Sequence, residues 1–292
     1  AAAIASAQAL AIQTQINFTR EHEYEADRIG MQILANSGFD PHAMPAFFEQ
    51  MQNFNRLNDT SLPEFLRTHP VTTNRIADSR NRAEQFRVRP APDSSDFQHV
   101  RAKIRALAAG NPGEIARGFR ENLAQGKYLN ADAERYGYAV ALLRTRQLAT
   151  ARTEIGKLVA QQPDRTSYRI LQAETEMAAG NHKQALAVYA DAYAKAPGNA
   201  PLVNYYASAL LKSGKHRQAR DLLKNALQRR PEDPELHRML AQAAGGIGAK
   251  YEAHKAMAEH YYLSGNPHAA IEQLQLAARF AGDSFYLQSG IE

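Results

Sequence analysis

Two carboxylates, Glu23 and Asp27, stand four residues apart in the run Arg20-Glu21-His22-Glu23-Tyr24-Glu25-Ala26-Asp27-Arg28-Ile29-Gly30. The run lies in a helical pattern, where residues four apart share a face. Such a stacked pair can be ordinary solvated charge. Carboxylate oxygens are also metal ligands, so the choice rests on what surrounds the pair. A second candidate is His69, in Thr68-His69-Pro70. A histidine before a proline is commonly a turn residue, yet imidazole also binds metals when neutral and protonates near physiological pH. The chain has no cysteine. That excludes disulfides and thiolate metal sites, and it permits an oxidising compartment without requiring one.

The spelling Glu23-x-x-Ala26-Asp27, with Arg20 ahead and Arg28-Ile29-Gly30 behind, resembles the second-motif helix of the HtpX-like zinc metallopeptidases. The resemblance implies that Glu23 is a zinc ligand, the third after two histidines of an H-E-x-x-H helix. It implies that Asp27 stands beside the metal as an orienting or proton-handling catalytic group. The family also carries a Thr-His-Pro element followed by Arg-Ile, matched here by Thr68-His69-Pro70 and Arg75-Ile76. In some members that histidine reaches the metal as a fourth ligand, which would exclude the reactive water and hold the enzyme latent. His69 is on that basis an exchangeable metal ligand. No H-E-x-x-H occurs in this chain. Catalytic zinc takes three protein ligands plus an open position. Its water takes a general base, the glutamate of that motif. The chain starts at Ala1 inside a helical pattern. We therefore expect a fragment of a longer zinc metalloendopeptidase, inactive by itself and with no zinc bound.

The elements that must position these residues read as helices. Residues 1–34 form one helical pattern, with Ile12, Ile16, Ile29 and Ile33 at compatible spacings, and Gly38 closes it. Asp40-Pro41 restarts a helix, aspartate as cap and proline at the first position. Phe47, Met51 and Phe54, with Phe48 and Leu57 as further candidates, make its apolar stripe. Residues 58–61 read as a loop, and Pro63 opens a short helical turn. Thr72 or Thr73 caps a helix running to about Phe86. Pro90, Pro92, Asp93 and two serines mark residues 88–95 as a linker.

Behind the linker the chain repeats. Pro163, Pro197 and Pro231 are spaced by 34, as are Ala151, Ala185, Ala219 and Ala253, and Gly180, Gly214 and Gly248. That is the period of the tetratricopeptide helix-turn-helix unit. Small residues let paired helices approach, Ala139, Ala173, Ala207 and Ala241 in the first helix. Glycine permits the turn, and proline stops the second helix. Tyr138, Tyr189, Tyr206 and Leu223 fill the gaps. After Gly248 the next glycine in pattern is Gly265, half a step on, so the helix 251–263 should close one repeat and open the next. Residues 96–124, turning at Gly110, should be a degenerate hairpin capping the array in front. The rear cap is expected to be cut away, which would favour self-association.

The fold class is therefore all-α: the C-terminal helices of a zinc metallopeptidase domain over 1–87, then a tetratricopeptide α-solenoid over 96–292. The groove of such a solenoid is lined by first helices. Its inward candidates are Tyr136, Val140, Arg144, Ile170, Glu174, Met177, Asn204, Ser208, Lys212, Arg238 and Gln242. A mixed polar and apolar groove suits extended segments or a protein surface. The formal charge is +5 at a pI near 9.3, with bases scattered among acids, so nucleic-acid binding is not expected. No apolar run approaches a membrane span. By resemblance, the full-length enzyme is periplasmic, holds zinc, and recruits the outer-membrane barrel assembly machinery and its substrates. The alternative is a non-catalytic repeat scaffold.

Overall fold

A computed structural model of the chain describes residues 20–57, 71–86 and 94–281. Among the described residues the regular structure is entirely helical. Contacts divide the chain into two compact units, Ala1–Asp93 and Ser94–Glu292.

In the first unit, helix α1 covers residues 20–36. Gly38 ends it at φ 77°, a conformation that costs a residue without Cβ little. The Phe39 N–H donates to Leu34 O and the Gly38 N–H to Ala35 O, both at 3.0 Å, satisfying carbonyls that the helix leaves open. Asp40 accepts from the His42 N–H at 2.9 Å, and that bond holds its carboxyl below the usual range. A turn intervenes before α2, Ala43–Leu57, so the helix begins later than the Asp40-Pro41 signal suggests. Its buried stripe is Met44, Phe48 and Met51, packed on Val71 and Ile76. Phe47 and Phe54, expected in the core, are exposed instead. The spacing 44, 48, 51 defines one helix face, and Phe47 and Phe54 lie to its side. Ile29 and Ile33 are likewise exposed, while Asp27 and Met31 turn inward. Helix α3, Thr73–Ala83, starts at Thr72, whose hydroxyl accepts from the Arg75 N–H at 3.3 Å; it stops short of Phe86. The Pro63 turn, His69 and linker residues 88–93 lie outside the described residues.

The second unit is a stack of hairpins. Its helices are α4 Ser95–Leu107, α5 Pro112–Gln125, α6 Ala131–Arg144, α7 Leu148–Gln161, α8 Thr166–Ala178, α9 His182–Lys195, α10 Ala200–Lys212, α11 His216–Leu227, α12 Pro234–Gly246, α13 Lys250–Leu263 and α14 Pro267–Ala278. Ala139, Ala173 and Ala207 are at most 1% exposed and Ala241 is buried, so the small-residue register sits where helices touch. Successive first helices α4, α6, α8, α10 and α12 contact one another, whereas second helices pack chiefly on first ones. The first-helix row is therefore the inner, groove-lining side. Helix α13 packs on both α12 and α14, as the half-step at Gly265 requires. Bidentate pairs tie neighbours together: Arg152 to Glu176 at 2.6 and 2.7 Å and Arg105 to Glu134 at 2.8 and 3.2 Å.

Candidate functional site

Glu23 and Asp27 face the first turn of α3. The Asp27 carboxylate accepts two bonds from Arg75, from Nε at 2.8 Å and from Nη2 at 2.7 Å. The third guanidinium nitrogen, Nη1, pairs with Glu23 Oε2 at 2.8 Å. Asp27 and Arg75 are buried, and Glu23 is partly so. The Arg75 guanidinium also lies 5.2 Å from the centroid of the Phe48 ring, a favourable placement for a cation. Its bonds to Asp27 raise the Arg75 pKa above its ordinary value. One planar fork thus serves two carboxylates, a geometry lysine does not reproduce. The sequence offered Arg75 only as part of an Arg-Ile spelling. Its partner lies 48 residues away, beyond the reach of any local periodicity.

These residues alone do not make a metal centre. Among the described residues no three His, Cys, Asp or Glu side chains converge, and zinc catalysis takes three protein ligands. Both Asp27 oxygens are engaged by Arg75, so the candidate ligand here is Glu23.

The groove candidates divide by burial. Tyr136, Val140 and Ile170 are 5% exposed and belong to the core rather than to open groove. Burial pushes the Tyr136 hydroxyl above its ordinary pKa. Arg144 donates through Nη1 to the carbonyls of Ala106, at 2.5 Å, and Ala108, and so ties down the end of α4. Arg238 pairs with Glu235 on the surface at 2.6 and 2.8 Å. Met177 flanks the cluster around Tyr189. Glu174, Asn204 and Ser208 are partly buried, and Lys212 and Gln242 are exposed. Burial pushes the Glu174 carboxyl up to about 7, while Lys103 and Lys212 pull it the other way. Two inner-face residues escaped the sequence reading: Lys103 of α4, whose Nζ lies 5.5 Å from the ring centroid of Tyr205 on α10.

Residues 1–83 match the model of peptidase family M48, and residues 135–200 and 176–243 match tetratricopeptide repeat models. The chain is thus similar to an M48 peptidase segment over residues 1–83 and to tetratricopeptide repeats behind it. It is 32% identical over 263 residues to the beta-barrel assembly-enhancing protease of Yersinia pestis, covering 90% of this chain and 54% of that protein. The chain therefore spans about half the length of the curated relatives it matches. The mitochondrial metalloendopeptidase OMA1 of Danio rerio is 43% identical over 60 residues, 20% of this chain and 13% of that protein. A solved structure of MamA (MSR-1 C2) aligns with a TM-score of 0.44 at 18% identity, covering 59% of this chain and 98% of that one. M48 similarity implies a metal, and the repeats imply protein–protein interaction. Among the described residues no helix is long and apolar enough to cross a membrane.

Proposed function

We propose that this chain is part of a periplasmic zinc metalloendopeptidase that serves outer-membrane protein assembly and quality control. The order of the matches carries the reading: an M48 segment over 1–83, then repeats from 135 onward, within 32% identity across nine-tenths of the chain to a protease of that name. Glu23 contributes one metal ligand. Asp27, locked by Arg75, fixes the helix turn that presents it. His69 gates the metal as an exchangeable ligand. The remaining ligands and the general base come from sequence outside these 292 residues. The metal would activate a water for attack on a peptide carbonyl. The repeat array recruits proteins through its inner face, among them the barrel assembly machinery and its substrates. By itself the chain lacks the metal and the activity.

The test is Glu23→Gln in the full-length protein. Zinc content by mass spectrometry and cleavage of a protein substrate should both fall sharply, about tenfold or more, because one ligand of a three-ligand site is lost. Zinc and proteolysis at wild-type levels would sink the metal assignment. The tetratricopeptide matches, which need no metal, also suit a second reading, a non-catalytic scaffold. That reading gains if the full-length protein binds no zinc.

A further inference from the structure

The inner face of the array contains acceptor groups that the fold itself does not satisfy. Glu174 stands on α8 in the middle of the first-helix row. Among the described residues it makes no hydrogen bond or ion pair. Lys103 and Lys212 act on it electrostatically, but neither is bonded to it. On the adjoining inner helix α10, the Asn204 side-chain carbonyl is buried and has no hydrogen-bond partner. A buried acceptor left unmade costs about 1–3 kcal/mol. Such groups call for an external donor. Beside Asn204 in the chain, Tyr205 presents a ring face that already carries an ammonium group, Lys103 Nζ at 5.5 Å. Lys103 and Tyr205 lie far apart in sequence, on α4 and α10, and the long lysine stem spans the inner face between them. The chain's own lysine shows which chemistry that surface accepts.

We propose that the groove centre is a receptor for a lysine or arginine side chain of an extended partner segment, its cation pairing with Glu174, its donors reaching Asn204, and its stem displacing Lys103 from Tyr205. This deepens the recruiting role proposed for the array and rests on it. The pocket selects for positive charge because a partly desolvated carboxylate gains most from a cation that brings its own donors. Tyr136 and Tyr189, both close enough to feel the Glu174 charge, supply low-dielectric walls that strengthen the pairing. With the Glu174 carboxyl near 7, the site is fully charged only above neutrality. Binding of a cation should therefore tighten as pH rises from 6 to 8. The charged groups acting on Glu174 are Lys103 of α4 and Lys212 of α10.

The experiment uses the whole 292-residue chain and three acetylated, amidated peptides of alternating alanine with lysine, norleucine or glutamate, read by fluorescence anisotropy. The lysine peptide should bind best. Glu174→Gln should weaken it about tenfold or more, the loss of a charge-assisted bond, and should bring it level with norleucine. Lys103→Met should tighten the lysine peptide by removing the resident cation. The pH dependence should vanish in Glu174→Gln. If the lysine preference survives Glu174→Gln, or the glutamate peptide binds best, the cation receptor is wrong while the recruiting groove stands. If no peptide binds the wild-type chain, the recruiting role falls and the receptor with it.

Discussion

Arg75→Met would remove one cation from between two carboxylates while keeping most of the apolar stem. Arg75 and Asp27 are 8% and 7% exposed and are joined by two bonds. Glu23 adds a third contact at 2.8 Å. Removing one partner of a buried pair costs about 3–5 kcal/mol, because the other charge stays desolvated. Here the buried Asp27 loses both of its bonds to Arg75 and Glu23 loses a contact as well, so the upper part of that range applies. Methionine also forfeits the guanidinium contact with the buried Phe48 ring, worth about 1 kcal/mol and up to about 2 kcal/mol when desolvated. The expected loss is therefore about 5–6 kcal/mol for the first unit. Hydrogen exchange of the α1 and α3 amides reads that unit without interference from the repeats. Adding Asp27→Asn neutralises the more deeply buried stranded charge. The double variant should therefore recover about 2 kcal/mol, the coupling expected of residues in direct contact. Protection of α1 and α3 unchanged in Arg75→Met would refute the clamp. So would a double variant less stable than the single one.

Glu174→Gln should change how stability depends on pH. With its carboxyl raised to about 7, the folded chain binds more protons than the unfolded one between the ordinary carboxyl range and neutrality. Stability is then fully present below the unfolded value and lost as pH rises through 7, by about 3 kcal/mol in all at roughly 1.4 kcal/mol per unit. Urea midpoints at pH 4.5 and pH 8 should show that slope in the wild type and not in Glu174→Gln; parallel curves would dismiss the raised carboxyl. Gly137→Ala should cost about 1–3 kcal/mol by overpacking, because a Cβ there would lie 2.5 Å from the Phe119 ring and 3.1 Å from Ala102. Thermal melts should show Phe119→Leu restoring part of the loss. A neutral Gly137→Ala would mean that α5 and α6 sit farther apart than described.

The repeat array was legible because each register position has one steric task. Ala173 and Ala207 mark where helices touch, and Gly180, Gly214 and Gly248 occupy left-handed turns at φ 80°, 68° and 77°. The same turn in the preceding repeat was not legible. Position 146 holds arginine, yet the fold drives it to φ 56°. There the geometry comes from the packed helices on either side, and a non-glycine residue takes the strain. The stripe of α2 misled for a different reason. Phe47 and Phe48 are adjacent and equally apolar, so composition could not say which of them faces Val71 and Ile76. Inner-face contacts such as Lys103 with Tyr205 depend on how far the stack curls, and no single repeat encodes that.

Helix α1 shows how the two readings of its carboxylates are decided. Glu21 and Glu25 are exposed, and for them solvated charge is the right description. Asp27 is buried and Glu23 partly so, and a desolvated carboxylate is tolerable only if something compensates it. The compensation comes from the second short motif of the chain. Thr72 caps α3 through the Arg75 N–H, which fixes the backbone at the first turn and aims the guanidinium at α1. Two spellings that look independent in the sequence, Glu23-x-x-Ala26-Asp27 and Arg75-Ile76, thus meet in one electrostatic unit. A metal at Glu23 would enter a site whose charge Arg75 already balances in part. Asp27, with both oxygens held, would act through geometry rather than as a ligand.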